Sequence, residues 1–516
     1  MSPHSKYFVV EFVGIAIAII CVVYTYFKYV TLRYWKRKNI EYVKPVVPFG
    51  NIWPLLSGRS SIGELFRDLY FSKKKSPVFG IYLLHKPALV VNDPNLIRFV
   101  LTKEFAHFHD RGVYCNEKID PLSAHLFAVP GEKWRFLRSK FSPTFTSSKM
   151  RQMFFTMGEC SEKMAAYITD KAKNRELVEI KNLVARFSTD VIASVAFGIQ
   201  ANSIENPDAE FRKWGQKFFQ PNPLKNLLLL LAPTWLDLFK IPVIEKDISK
   251  FFISAFTETV EYRIANDVVR KDFLDLIMQL MNKGYIDNND EKTRAQLSGI
   301  DRNKITMLEG AAQAFVFWLA GFETSSSTVT NCLYELALHQ DMQEKLADEI
   351  NKALAANEFG SISYDSIKEM PYLDKVISET LRKYPAIPIL NRECTDEIDL
   401  PGTGLRVAKG TAIIIPVYGI HSDPGVFPEP EKFDPERFTE ENIASRHQYH
   451  YLPFGEGPRN CIGMRFGLLQ TKVALAKLLS KYRFKPGPGL KVPMVLDKGN
   501  IPIGPAGGMI LRIEER

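Results

Sequence analysis

The chain has 516 residues, 46% of them hydrophobic, and no Gly/Ser-rich or low-complexity linker divides it, which favours one large core behind a short leader over a string of small domains. A net charge of +9 is modest for this length and is scattered, so nucleic acid is excluded as the expected partner and an acidic protein or a membrane surface is preferred. The six cysteines (Cys21, Cys115, Cys160, Cys332, Cys394 and Cys461) show neither C-x-x-C spacing nor a dense framework, so neither zinc nor structural disulfides are indicated.

From Tyr7 to Phe27 the chain is apolar apart from Glu11 and a few small polar residues. At about 1.5 Å per residue a helix there is roughly 31 Å long, enough to span a bilayer. Lys28, Arg33, Lys36, Arg37 and Lys38 follow it, against Lys6 before it, which assigns the body to the cytoplasmic side. A cleaved signal peptide fits less well, because aromatic and basic residues stand where a small-residue cleavage site is needed. Pro45, Pro48 and Gly50 then form a stiff joint. The plan is residues 1–28 as anchor, 29–50 as a basic, proline-rich hinge, and 51–516 as the body.

Val78 to Asn92 alternates and is rich in β-branched residues, predicting a hairpin, and strands are predicted again near Leu405 to Ile415 and over roughly the last thirty residues, with mostly helix between. Trp134 and Arg138 stand at i and i+4 on one helix face, a pair that by itself means only surface packing. Leu177 to Gly198 carries a helical apolar stripe. Phe211 to Phe256 is rich in Phe, Leu and Pro, which suits core packing or an apolar surface touching a bilayer.

Ile305 to His339 is a long helical pattern in which Gln313, Val316, Phe317, Ala320, Gly321 and Thr324 share one face, apolar enough to line a pocket. Ala320 and Gly321 remove bulk at its centre, while Glu323 and Thr324 place proton-handling groups beside the gap. Glycine inside a helix costs about 1 kcal/mol against alanine, so a ligand or a neighbouring helix needs the room. Tyr364 to Tyr384 is predicted as a helix carrying Glu379 and Arg382 at i, i+3, and Pro435-Glu436-Arg437-Phe438 follows later. Between them the apolar turn Ile387 to Leu390 precedes Arg392.

Phe454 to Gly463 reads FGEGPRNCIG. Its glycines and Pro458 exclude a helix before Cys461, whereas Met464 to Tyr482 has helical spacing, so the thiol sits at a loop-to-helix junction where free backbone N–H groups favour a thiolate. A lone cysteine is more often a buried structural thiol, but a thiolate so placed can hold haem iron.

Phe454, Gly457, Arg459, Cys461 and Gly463 match every fixed position of Phe-x-x-Gly-x-Arg-x-Cys-x-Gly, and the run resembles the haem-binding loop of the cytochrome P450 family. The resemblance extends over essentially the whole chain. It implies a mainly α fold with a small β-rich region, preceded by one N-terminal transmembrane helix, with haem b between the long helix and the helix after Cys461. Cys461 is then the axial ligand of the haem iron, Phe454 packs beside its sulfur, and Trp134, Arg138, Arg392 and Arg459 meet the propionates. Ala320 lies in the oxygen-binding groove AGFETS, with Thr324 and Glu323 as the catalytic proton-delivering residues. Glu379, Arg382 and Arg437 form a structural charged triad.

FHDRG at 108–112, DPLSAHLF at 120–127 and SPTFTS at 142–147 resemble the insect microsomal branch associated with xenobiotic metabolism. The implied activity is insertion of one oxygen atom from O2 into a lipophilic small molecule: a xenobiotic, plant toxin, insecticide, or endogenous lipid or hormone. Residues 51–516 become the catalytic domain, facing the cytoplasm from the endoplasmic reticulum membrane. No nicotinamide-binding glycine fingerprint is visible, so the electrons are expected from NADPH-cytochrome P450 reductase, with cytochrome b5 as an optional second donor. Lys133, Arg135, Lys140, Arg465 and Lys472 offer a basic docking face. Two rival readings are a haem-thiolate isomerase or dehydratase acting on peroxides, which Thr324 disfavours, and a non-catalytic membrane haem sensor, which needs no oxygen groove.

Overall fold

The computed structural model describes residues 3–220, 229, 233–286, 303–356, 362–499 and 502–516. They form two compact units: Met1–Gly112 with Pro388–Ile420 and Gln448–Tyr451, and Val113–Ile387 with His421–His447 and Leu452–Arg516. Helices dominate, and the described strands make three small sheets, the mainly α class with a small β-rich part that the sequence predicts.

The first unit begins with the helix Pro3–Tyr29. Over Glu11–Arg37 the chain is long and apolar enough to cross a membrane, and its most apolar stretch is unburied. The chain then turns straight into the fold. Leu32 and Trp35 point inward, and Trp35 is 1% exposed, its indole Nε1 donating to Ile81 O at 2.9 Å. Gly80 is the residue this packing requires, because a Cβ there would lie 2.3 Å from the Trp35 ring. Asn51 closes the joint by donating to Val43 O and Lys44 O and accepting from Tyr82 N.

The predicted hairpin is present as Val78–Leu83 antiparallel to Lys86–Val91, with Val78 opposite Val91. Ala412–Ile415 adds parallel to the second strand and Leu390–Glu393 closes the four-stranded sheet. Trp35→Ala is expected to destabilise the protein by about 3–5 kcal/mol, the usual cost of truncating a buried large aromatic. A denaturant titration measures this, and an unmoved midpoint would show that the joint is not part of the folded unit.

The second unit is built around the helix Met307–Leu338, which packs on Ile180–Phe197, Met464–Lys481 and Lys246–Ala265. Thr306 caps it, accepting from Glu309 N while the Glu309 side chain accepts from Thr306 N. Two predicted helices are shorter than expected. Residues Leu177–Glu179 leave the helical stripe to pair with Ile510–Glu515, so the helix starts at Ile180 and ends where Gly198 takes φ 69°. Pro371 divides the other: a 3-10 turn, Ser366–Lys368, precedes the helix Pro371–Lys383, whose first turn tolerates proline. Tyr482–Pro486 completes the sheet with Ile510–Glu515.

Of the Phe-rich stretch, residues 221–228 and 230–232 lie outside the described residues; so do 500 and 501, within Asp497 to Ile503, a segment that the family resemblance expects to border the substrate pocket. The described remainder of the first includes the helices Glu210–Phe219, Pro233–Leu238 and Lys246–Ala265. Both expectations for this stretch find residues. Phe211 and Phe252 pack with Phe197 and Trp318 in the core, whereas Trp235, Leu238 and Phe239 are 56%, 73% and 62% exposed.

Candidate functional site

The cysteine loop closes on itself: Cys461 N donates to Phe454 O at 2.9 Å and Asn460 N to Gly457 O at 3.0 Å. Gly455 and Gly457 have φ of 68° and 76°, a left-handed backbone that side chains rarely adopt, which is why this turn carries glycines. Gly463 caps the helix Met464–Lys481, so the thiol stands just ahead of a helix N-terminus, and it is exposed. Gly463 lies against Phe145 and Phe317, which places this junction beside the long helix.

Three predicted residues gather at the loop. Arg138, on the helix Gly131–Phe141, donates to Asn460 O at 2.9 Å and Asn460 Oδ1 at 2.6 Å. Burial draws its guanidinium below the ordinary value, and the Cys461 sulfur nearby opposes that shift. It makes no carboxylate ion pair among the described residues. Arg459 is 2% exposed, donates to Val129 O at 2.9 Å, and lies 4.4 Å from the Trp134 ring centroid. Arg392 belongs to the first unit, on the strand Leu390–Glu393, where it is buried and donates to Asn391 O.

Between Gly310 and Ala337 every residue of the long helix is buried except Val316, Leu319, Ala320, Gly321, Glu323 and Thr324. The accessible strip is therefore narrower than the predicted face. Gln313 is 2% exposed and ties down the 113–130 strap, accepting from Leu126 N at 2.9 Å and donating to Ala124 O. Phe317 is stacked on Phe273 and packed on Phe145 and Phe466. Gly321 serves helix packing, since a Cβ there would meet Ile192 Cδ1 at 2.8 Å. Val316, Ala320 and Thr324, at i, i+4 and i+8, remain accessible.

Thr324 Oγ1 donates to Ala320 O at 2.5 Å. Burial pushes the Glu323 carboxyl up, while Lys181 and Arg212 pull it back and Asp497 pushes it further. Sequence reasoning missed Lys181 and Arg212, which stand on other helices with no spacing that links them to Glu323. Arg212 is 5% exposed and its Nη2 donates to Asn182 Oδ1 at 2.6 Å, an acceptor it shares with Arg186 Nε.

Glu379 is fully buried between two guanidiniums. Arg382 Nε and Nη2 reach its two oxygens at 2.8 Å each, and Arg437 Nε stands 3.4 Å from Oε1. Both arginines also bind backbone carbonyls, Arg382 those of His421 and Pro430 and Arg437 that of Glu429. Asp434 N donates to Glu379 Oε1 as well, so one carboxylate joins the helix Pro371–Lys383 to the turn Pro435–Phe438.

The predicted basic docking face needs correction. Lys140 is 6% exposed and donates to Gly284 O, and Lys472 is 8% exposed and pairs with Asp374 at 2.7 Å. Lys133 is held between Glu117 and Glu309. Arg135 and Arg465 are the ones left exposed, the former beside Glu132.

The family model for cytochrome P450 matches residues 44–512. Curated relatives include "Probable cytochrome P450 6a14" of Drosophila melanogaster, 39% identical over 490 residues, covering 93% of this chain and 95% of the relative. "Cytochrome P450 6A1" of Musca domestica is 40% identical over 511 residues, covering 98% of each chain, and "Cytochrome P450 6k1" of Blattella germanica is 37% identical over 500 residues, covering 96% of this chain and 95% of its own. With the exposed loop cysteine, the accessible helical strip and near full-length similarity to insect relatives, the chain belongs to the cytochrome P450 family.

Proposed function

We propose that this monooxygenase inserts one atom of dioxygen into lipophilic substrates from a membrane-held position, taking electrons from NADPH through NADPH-cytochrome P450 reductase. Monooxygenase activity and haem b come with the family; the substrate class, the electron route and the endoplasmic reticulum location are our reading. The observation that carries it is the break in burial over Val316, Ala320 and Thr324, on a helix packed beside the exposed Cys461 junction.

The residues fit a haem. A flat apolar group with two carboxylates suits the accessible strip on one side and the exposed thiol on the other, and the desolvated Arg138 lacks an ion-pair partner that a propionate would provide. Cys461 would hold the iron, with Phe454 beside the sulfur and Trp134, Arg138 and Arg459 toward the propionates. Bound there, haem supplies dioxygen activation, and a thiolate ligand favours O–O cleavage.

The chain's own side chains bind, orient and move protons. Ala320 keeps the strip low at its centre. Thr324 Oγ1 is committed as a donor to Ala320 O, which leaves its lone pairs to accept from water in the groove. Glu323, raised by burial, keeps its proton at a pH where an exposed glutamate has lost it, and the opposing pull of Lys181 and Arg212 holds it able to release that proton. Residues 1–28 act as anchor, 29–50 as hinge and 51–516 as catalytic domain, with cytochrome b5 as an optional second donor.

The test is turnover by the purified full-length protein with reductase and NADPH across a panel of lipophilic compounds, after a carbon monoxide difference spectrum. Oxygenated product that requires all components is expected; steady NADPH consumption without product from any compound would reject the reading. Thr324→Ala is expected to lower product per NADPH by about tenfold, short of the roughly 10²-fold or more that full acid–base catalysis contributes, because Glu323 and water remain. Peroxide release should rise by the missing amount, while substrate-induced spectral shifts persist. Unchanged coupling would remove Thr324 from proton delivery.

A further inference from the structure

One fully buried side chain, His421, joins the Glu379 triad to the segment that enters the cysteine loop. Its carbonyl accepts from Arg382 Nη1 at 3.0 Å, and its imidazole Nε2 stands 2.9 Å from the backbone amide of Leu452. A backbone N–H can only donate, so Nε2 offers a lone pair there and the ring is neutral, with its proton on Nδ1. Burial, and after it the Arg382 guanidinium, pushes the imidazole down to about 3, and backbone hydrogen bonds to Arg382 and Leu381 oppose that push without reversing it. The ring therefore remains an acceptor throughout the neutral range.

From Leu452 the bonds run on to the thiol. Leu452 is 1% exposed, and its carbonyl accepts from Gly455 N at 3.1 Å, closing the turn that presents Phe454. Phe454 O in turn accepts from Cys461 N at 2.9 Å. Arg138 on Asn460 O and Arg459 on Val129 O secure the far side of the loop, whereas its near end is held by His421. The imidazole is itself fixed. Its ring meets Phe427 nearly edge-on at 6.1 Å between centroids, and Asp423 O accepts from Val426 N and Phe427 N to shape the turn between them.

We infer that His421 is a positioning residue for the reaction, which through the Leu452 amide fixes where the Cys461 sulfur stands as a ligand for the haem iron. The inference rests on Cys461 as that ligand. Groups that hold a metal ligand from behind decide whether it stays in place, and a hydrogen bond to the backbone of the ligand loop does this without touching the metal. The imidazole also suits the task because it accepts from the loop through its side chain while its own carbonyl is clamped by Arg382, so the carboxylate of Glu379 and the thiol are linked through consecutive bonds.

The experiment compares full-length holoprotein carrying His421→Leu, which removes the acceptor, with His421→Gln, whose amide oxygen reaches the Leu452 N–H. Two quantities are read: amide hydrogen exchange over residues 452–461, and the rate at which the carbon monoxide complex loses its thiolate-type spectrum. In the leucine variant both should be at least about tenfold faster, the order expected when a buried amide loses its acceptor. The glutamine variant should return both close to wild type, and exchange in the helix Pro371–Lys383 should be unaltered in each. Should the leucine variant fail to fold, His421→Asn, whose shorter side chain stops short of Leu452 N, takes its place. Wild-type exchange and spectral lifetime without the acceptor overturn the assignment. So does equal loss in the glutamine variant, or equal loosening of the helix Pro371–Lys383, either of which would leave His421 a general core residue. A wild-type protein with no thiolate-type spectrum would instead remove Cys461 as the ligand, and this inference with it.

Discussion

Cys461→Ser is expected to leave a folded chain that has lost oxygenation by at least about 10³-fold, equivalent to more than ~4 kcal/mol of barrier. The fold should survive because the Cys461 side chain is exposed and the loop is held by backbone: the Cys461 amide on Phe454 O and the left-handed glycines at 455 and 457. A serine changes none of these backbone contacts, so the loop conformation should be kept even though the ligand is lost. The chemistry should not survive, since a hydroxyl is ionised far less readily than a thiol and is a poor axial donor to iron. The measurements are the carbon monoxide difference spectrum, the melting curve and turnover with reductase. A variant that keeps the thiolate-type spectrum or turns over normally would remove Cys461 as the ligand and with it the assignment of every residue placed around it.

The periodic elements were legible in the chain, and the residues that meet across it were not. The hairpin and the long helix appear within a few residues of where alternation and helical spacing put them, because those signals are local. What fills the space beside a helix is not local. Gly321 reads equally as a ligand groove and as a packing notch, and the decision rests with Ile192, far away in sequence. Phe317 and Gln313 share the predicted face with Ala320, yet the first is taken by Phe145, Phe273 and Phe466 and the second by the 113–130 strap.

Charge misled in the same way. Lysine is almost never fully buried unless paired, so Lys140 and Lys472 read as surface cations; in the fold their long stems run inward to Gly284 O and Ile367 O. Lys181 and Arg212 carry no signal at all, since their relevance comes only from the proximity of Glu323. The loop around Cys461 was legible because its requirements are local: glycines for left-handed turns, a proline to exclude helix, and a helix start immediately after the thiol.

Glu379→Ala is expected to be among the most damaging single changes outside the cysteine loop. Glu379 has no exposure, Arg382 is 1% exposed and Arg437 9%, so removing the carboxylate strands two positive charges in the interior. Breaking a buried pair from one side typically costs about 3–5 kcal/mol, a large part of the roughly 5–15 kcal/mol that holds a domain folded. The carbonyls of His421, Pro430 and Glu429 still accept from these arginines but carry no full charge, so they offset only part of the loss. The loss falls on the connection between the helix Pro371–Lys383 and the turn Pro435–Phe438, the segment that leads into the cysteine loop. The variant should therefore give little protein with the thiolate-type carbon monoxide spectrum. Glu379→Gln separates charge from shape: it keeps an oxygen for Arg382 and for Asp434 N, and should recover folding in part while remaining less stable than the wild type. If the alanine variant melted at the wild-type temperature with full haem content, the triad would contribute nothing to assembly, and the two arginines would have to be held by their carbonyls alone.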